Sequence, residues 1–175
     1  MLFLVLAYPK LADKDLLWVE SIRKAHDKLY AEVVKAHFTF VFPVTIQQEQ
    51  LASHVKKIAL SEKSFKFVLK CATLVDDAFN DYMHVFLVPD EGYSDSVKLH
   101  NKLYTGILAP ELRLDIPFIP HIGIGNSLEA QECKKLADDL NKENFSISGK
   151  IDTLSLVRYE ANKIDTIEEF VLSRS

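Results

Sequence analysis

A chain of 175 residues, 48% hydrophobic and 26% charged, has the make-up of one globular domain, or of two lobes sharing a core. Its net charge of −4 excludes a general affinity for long nucleic acid, which needs many lysines and arginines to displace counterions. It leaves room for a small nucleotide or a single RNA end, which a local polar pocket can hold.

The apolar start, Leu2 to Ala7, has no basic residues before it and is too short to span a bilayer. It reads as a first strand covered on both faces and ended by Pro9, with no membrane association. Cys71 and Cys133 are far apart and lack metal-ligand spacing, so inert, buried thiols and a cytoplasmic location are expected. Asp13 is placed to cap a helix reaching about Tyr30, with Leu16, Val19, Ile22, His26 and Leu29 as its apolar stripe. A strand follows over 35–42, ended by Pro43, and a second helix from Thr45 with Leu51, Val55, Ile58 and Ala59 inward. Strands over 64–75 and 82–88, joined by the turn chemistry of Asp76-Asp77 and Asn80-Asp81, pair as a hairpin.

The second half repeats this order. A helix over 94–108 leads through Pro110 and Pro117 into a strand over 118–124. Gly125-Asn126-Ser127 then turns the chain, and Ser127 caps a helix to about Asn141. Strand candidates over 145–159, broken near Gly149, and over 163–172 complete the chain. The order predicts an α+β fold over 1–175: a single bilobal domain of duplicated antiparallel sheets lining a central cleft, with helices outside. His26, His54, His84 and His100 read as packing or peripheral histidines.

The remaining two histidines sit in comparable settings. Alternation along an extended chain sets His37 and Thr39 on one face of their strand and Phe38 and Phe40 on the other. In Pro120-His121-Ile122-Gly123-Ile124-Gly125, His121 and Gly123 share a face opposite Ile122 and Ile124. Two imidazoles in one cleft can divide labour, one neutral as general base and one protonated as general acid. Such a pair suits phosphodiester cleavage, with the Thr39 hydroxyl donating to a phosphate oxygen. Two structural sheet histidines are the competing reading of the same spacing.

These segments, with Ser21-Ile22-Arg23-Lys24 and Val41-Phe42-Pro43, resemble the 2H phosphoesterase superfamily, in its 2′-5′ RNA ligase-like or RNA cyclic phosphodiesterase-like branch. The resemblance runs over essentially the whole chain. It implies a pseudo-twofold bilobal fold and metal-independent chemistry, without a cofactor, at 2′,3′-cyclic phosphates or 2′,5′-phosphodiesters of RNA ends or small nucleotides. It makes His37 and His121 the catalytic pair and Thr39 a phosphate contact. Gly123 departs from the pattern, standing where the family has threonine or serine, so one hydroxyl donor is missing. Arg158 and Tyr159, at the end of a late strand, are candidates for phosphate charge and base stacking, against a plain surface arginine and a packing tyrosine. Three functions follow as alternatives: a phosphodiesterase, a catalytically weakened nucleotide or RNA-end binder, and a scaffold with structural histidines.

Overall fold

The structure is a computed structural model and describes residues 1–173. Its elements are β1 (Leu2–Ala7), β2 (Lys10–Leu11), α1 (Asp13–His26), β3 (Phe38–Val44), α2 (Gln48–Ser61), β4 (Phe65–Asp76), β5 (Met83–Glu91) and α3 (Tyr93–Leu103). A 3-10 turn (Gly106–Glu111), β6 (Ile122–Ser127), α4 (Ala130–Lys142), β7 (Ile147–Ile151), β8 (Thr153–Glu160) and β9 (Lys163–Val171) follow. The strands form two antiparallel sheets, ordered β3-β1-β8-β9 and β2-β7-β4-β5-β6. The expected α+β class therefore holds, with helices against both sheets.

The two halves are interleaved. The first sheet joins β1 and β3 to the late hairpin β8–β9, and the second joins β6 and β7 to the early hairpin β4–β5. The late segment expected to break near Gly149 breaks at Asp152, and its two pieces enter different sheets. Between the sheets lies the core. Phe38 of β3 meets Phe67 of β4 edge-on at 5.0 Å, and Ile122 and Ile124 of β6 join the same fully buried cluster.

Both motif strands lie at sheet edges, and each edge is covered. For β3, α3 does this: His100 Nδ1–H donates to the Phe40 carbonyl at 2.9 Å, and the Tyr104 hydroxyl accepts the Phe42 amide at 3.0 Å. His100 is thus buried, stacked at 3.7 Å on Phe118, rather than peripheral. Pro43 does not end β3, because an edge strand has one side on which a missing N–H costs nothing. His54, expected in solvent, is half-buried and donates to the Leu103 carbonyl at 2.8 Å. Cys71 is exposed on β4, whereas Cys133 is buried.

At the other edge, β6 runs through the Gly125-Asn126-Ser127 segment expected as a turn. The end of α1 packs against it so closely that a Cβ at Gly125 would stand 3.2 Å from the Cβ of His26. Helix α1 stops at His26 instead of Tyr30, because Asp27 turns the chain: its carboxylate accepts the Tyr30 amide at 2.9 Å. The expected stripe also shifts. Leu16 is 41% exposed, and the helix buries Arg23 instead.

Arg23 is the organising side chain of this corner. Its guanidinium bonds the Asp27 carboxylate at 3.1 Å, Glu20 at 3.1 Å, and the carbonyls of Val34 and Tyr30 at 2.7 and 3.3 Å. Glu20 in turn accepts the Ala36 amide at 2.7 Å, and Asp27 accepts Asn126 Nδ2–H from β6 at 2.6 Å. The loop before His37 is thus wrapped around one guanidinium and tied to the second motif strand. Removing one partner of a buried ion pair strands the others, at roughly 3–5 kcal/mol. Arg23→Met is therefore expected to lower unfolding free energy by about that much in a urea titration, while the exposed neighbour Lys24→Met changes it by less than about 0.5 kcal/mol.

Candidate functional site

A cleft of about 460 Å³ opens between the two sheets. His37, Thr39, His121, Gly123 and Tyr159 all line it. The alternation argument explains the first four: Phe38, Phe40, Ile122 and Ile124 are driven into the core, which turns their neighbours to the cleft.

The two histidines are held in the same way. His37 Nδ1 lies 2.7 Å from the Lys35 carbonyl, and His121 Nδ1 lies 2.6 Å from the Ile119 carbonyl, each two residues back. A carbonyl only accepts, so both Nδ1 atoms carry hydrogen. In the neutral ring, Nε2 is then the unprotonated nitrogen, and no hydrogen bond among the described residues occupies it. Stacking fixes the rings further. His121 lies flat on Phe86 with centroids 3.5 Å apart, and His37 meets Tyr8 edge-on at 6.4 Å.

Both imidazoles are poor places for a proton in the walls of the cleft. Desolvation by the surrounding walls is the main cause, and it lowers each from 6.5 to about 4. The carbonyl bonds oppose this shift. The Arg23 charge adds to it at His37, and charge on His37 or His84 adds to it at His121. Near neutral pH the free protein therefore presents two neutral rings whose Nε2 lone pairs are available as bases.

Around this pair the cleft is mixed. Thr39 offers a hydroxyl beside His37. At the matching place beyond His121, Gly123 offers none, and a Cβ built there would meet only Phe86 Cε1, at 3.9 Å. A further histidine also faces the cleft: His84 Nε2 bonds the Asp77 carboxylate at 2.6 Å, and its ring stacks on Tyr30 at 6.3 Å. Sequence reading assigned His84 to packing and Asp77 to a turn. The hairpin register, which pairs Val75 with His84, brings Asp77 to it.

Arg158 does not reach the cleft. The alternation of β8 sends it to the opposite face from Tyr159, where it pairs with Asp165 at 3.0 Å. The expectation that it meets phosphate is corrected accordingly. Tyr159 stays at the cleft, its hydroxyl donating to Asn162 at 2.7 Å and its ring available as a wall. Arg23, Asp27 and Asn126, none of which the sequence singled out as site residues, contribute to one end of the cleft. Among the described residues, no group of three or more His, Cys, Asp and Glu side chains converges as metal ligands would. No described helix is long and apolar enough to cross a membrane.

Comparison with known proteins agrees with this arrangement. A Bacillus anthracis protein named "Putative phosphoesterase" is 27% identical over 150 residues, covering 85% of this chain and 84% of its own. E. coli LigT complexed with 3′-AMP superposes with a TM-score of 0.62 at 14% identity, covering 98% of each chain. TT0787 of Thermus thermophilus superposes with a TM-score of 0.60 at 15% identity, again over 98% of each. The model of the 2′-5′ RNA ligase superfamily matches residues 9–163, and the chain belongs to that family.

Proposed function

We propose that the protein is a phosphoesterase that opens 2′,3′-cyclic phosphates or cleaves 2′,5′-phosphodiesters of small nucleotides or RNA ends, with His37 and His121 as a metal-independent acid–base pair. One observation carries this reading: two imidazoles in one cleft, each anchored through Nδ1–H to a carbonyl two residues back, each with Nε2 outside any hydrogen bond among the described residues. Family membership and the phosphoesterase name of the Bacillus anthracis relative support the reaction class. The 3′-AMP complex of E. coli LigT, at the same fold, supports a nucleotide-sized ligand. Two free cysteines suit a reducing cytoplasm.

In hydrolysis, Nε2 of one histidine takes a proton from water as the water oxygen bonds phosphorus. The bond from phosphorus to the leaving ribose oxygen breaks, and that oxygen receives the proton on Nε2 of the other histidine. One water is consumed, and the pair ends with the proton exchanged between its members, so the same groups serve the reverse reaction in swapped roles. The required state has one ring charged, which burial in the cleft disfavours. A bound phosphate anion supplies the missing counter-charge and raises the affinity of the adjacent imidazole for a proton. Thr39 donates to a phosphate oxygen and gains strength as charge develops there.

His37→Ala and His121→Ala are each expected to lower kcat on nucleoside 2′,3′-cyclic phosphates by roughly 10²- to 10⁴-fold, with EDTA present throughout. Full activity in both variants would refute the pair. Because the free rings titrate at about 4, the singly protonated pair becomes scarcer as pH rises above that value. A plot of kcat/KM against pH is therefore expected to climb from neutrality toward acid, whereas kcat, which reports the phosphate-bound pair, holds to higher pH.

Gly123 favours a second reading, a nucleotide binder whose phosphate clamp is half lost. A hydrogen bond to a charged group is worth roughly 1.5–3 kcal/mol, or about 10- to 100-fold in rate where it forms in the transition state. The open space at Gly123 admits a side chain, so Gly123→Thr is expected to raise kcat/KM by about tenfold or more. An unchanged value would mean that the clamp is already complete without that hydroxyl.

A further inference from the structure

The charges that face the cleft constrain what else its substrate carries. Among the described residues one cation lines it, Arg23, against three carboxylates, Asp27, Asp76 and Asp77. The cation is already committed: its terminal nitrogens are bound to Glu20, Asp27 and two backbone carbonyls, and its side chain is 1% exposed. No described lysine lines the cleft. The neighbouring Arg113, over the Phe79 ring at 5.2 Å, is paired through two nitrogens with Asp115. One further partner offsets a carboxylate: His84, bonded to Asp77.

The rest of the wall is apolar or aromatic. Phe79, 62% exposed, Tyr30 and Tyr159 offer ring faces, and Ile116, Pro117 and Ile119 continue the surface toward His121. Such a wall holds a flat or greasy group well and a second phosphate badly. Asp27 is spent on Arg23 and Asp77 on His84, so Asp76 is the carboxylate left to repel an additional anion, and among the described lining residues no exposed guanidinium or ammonium is present to receive it.

We infer that the substrate is a phosphodiester bearing a single negative charge on a largely apolar, ring-containing remainder, and that a second phosphate elsewhere on the molecule is selected against. This rests on the phosphoesterase reading for the position of the reacting phosphate. It separates this chain from E. coli LigT, which has been crystallised with ATP and with NADP+. The low proton affinity of the two cleft histidines acts in the same direction, because a ring that binds a proton only beside the reacting phosphate offers nothing to a distant one. Asp76, exposed at the end of β4, is the carboxylate best placed to meet an incoming group without structural duties of its own.

The test compares three ligands with the same 2′,3′-cyclic phosphate: adenosine 2′,3′-cyclic phosphate with a free 5′-hydroxyl, its 5′-O-benzyl ether, and its 5′-phosphate. Dissociation constants from calorimetry on the His37→Ala protein, in which turnover is slowed enough for binding to be read, are the first readout. The 5′-phosphate is expected to bind at least about tenfold more weakly than the 5′-hydroxyl at low salt, and the benzyl ether at least as tightly. Added salt should narrow the gap by screening, and Asp76→Asn should narrow it further. Equal or tighter binding of the 5′-phosphate, or no binding of any of the three, overturns the inference. Turnover by the unmodified protein is the second readout. Discrimination in binding without product would leave this inference standing and sink the catalytic reading, whereas turnover without discrimination would do the reverse.

Discussion

The buried guanidinium of Arg23 is the constraint on which the site depends. A charge removed from water has to be offset by partners, and Arg23 collects them from every segment that shapes this corner. Glu20 and Asp27 come from its own helix and the turn that ends it, Tyr30 and Val34 from the loop beyond. Through Glu20 the set reaches the amide of Ala36, one residue before His37, and through Asp27 it reaches Asn126 on the strand that carries Gly123. The first motif histidine follows directly on a loop whose Tyr30 and Val34 carbonyls and Ala36 amide are satisfied around that charge and its partner Glu20. A hydrophobic side chain of similar volume would spare the desolvation cost, but it would not set the length and path of the loop.

The same logic explains why two catalytic candidates from separate halves meet across one cleft. Since each sheet is completed by a hairpin from the other half, neither half can close its core alone. The cleft is the gap left where the two sheets diverge, and its position follows from the shared core of Phe38, Phe67, Ile122 and Ile124. Identical anchoring of His37 and His121 through the carbonyl two residues back is a consequence of equivalent backbone paths into β3 and β6. Enclosure lowers the affinity of both rings for a proton, while the carbonyl bonds at Nδ1 hold each in one tautomer.

Much of this was legible in the sequence, where a period of two or a run of apolar residues dictates a face. Phe38 and Phe40 against Thr39, and Ile122 and Ile124 against Gly123, are enough to orient both motif strands. What stayed hidden depended on contacts between segments far apart in the chain. Pro43 inside β3 is allowed because β3 is an edge, and Gly125-Asn126-Ser127 is extended because it pairs with Met83 to Val85 of β5 while α1 packs against it. As neighbours on one strand, Arg158 and Tyr159 point to opposite faces, and which of the two meets the cleft depends on how β8 pairs with β1. His84 looked like packing because its partner, Asp77, lies across a hairpin whose register the sequence leaves open.

The asymmetry at Gly123 has a physical reading that extends beyond a missing hydroxyl. His121 lies flat on Phe86, and Phe86 pairs with Gly123 across β5 and β6. A glycine there leaves the ring of Phe86 covered on one face by the imidazole and otherwise open toward the cleft. The second motif thus has apolar surface in place of a polar donor, while the first keeps Thr39. The polar groups of the wall do not divide the same way, for Asp76, Asp77 and His84 belong to the β4–β5 hairpin beside β6, whereas Leu4, Leu6 and Ile164 line the sheet that carries His37. The two motifs therefore differ in one hydroxyl, set against a polar hairpin on the His121 side and an apolar sheet around Thr39 on the other. A donor is missing at Gly123 just where the wall already holds a histidine, an asparagine and carboxylates, so the asymmetry is one of position and leaves both sides of the cleft with polar contacts.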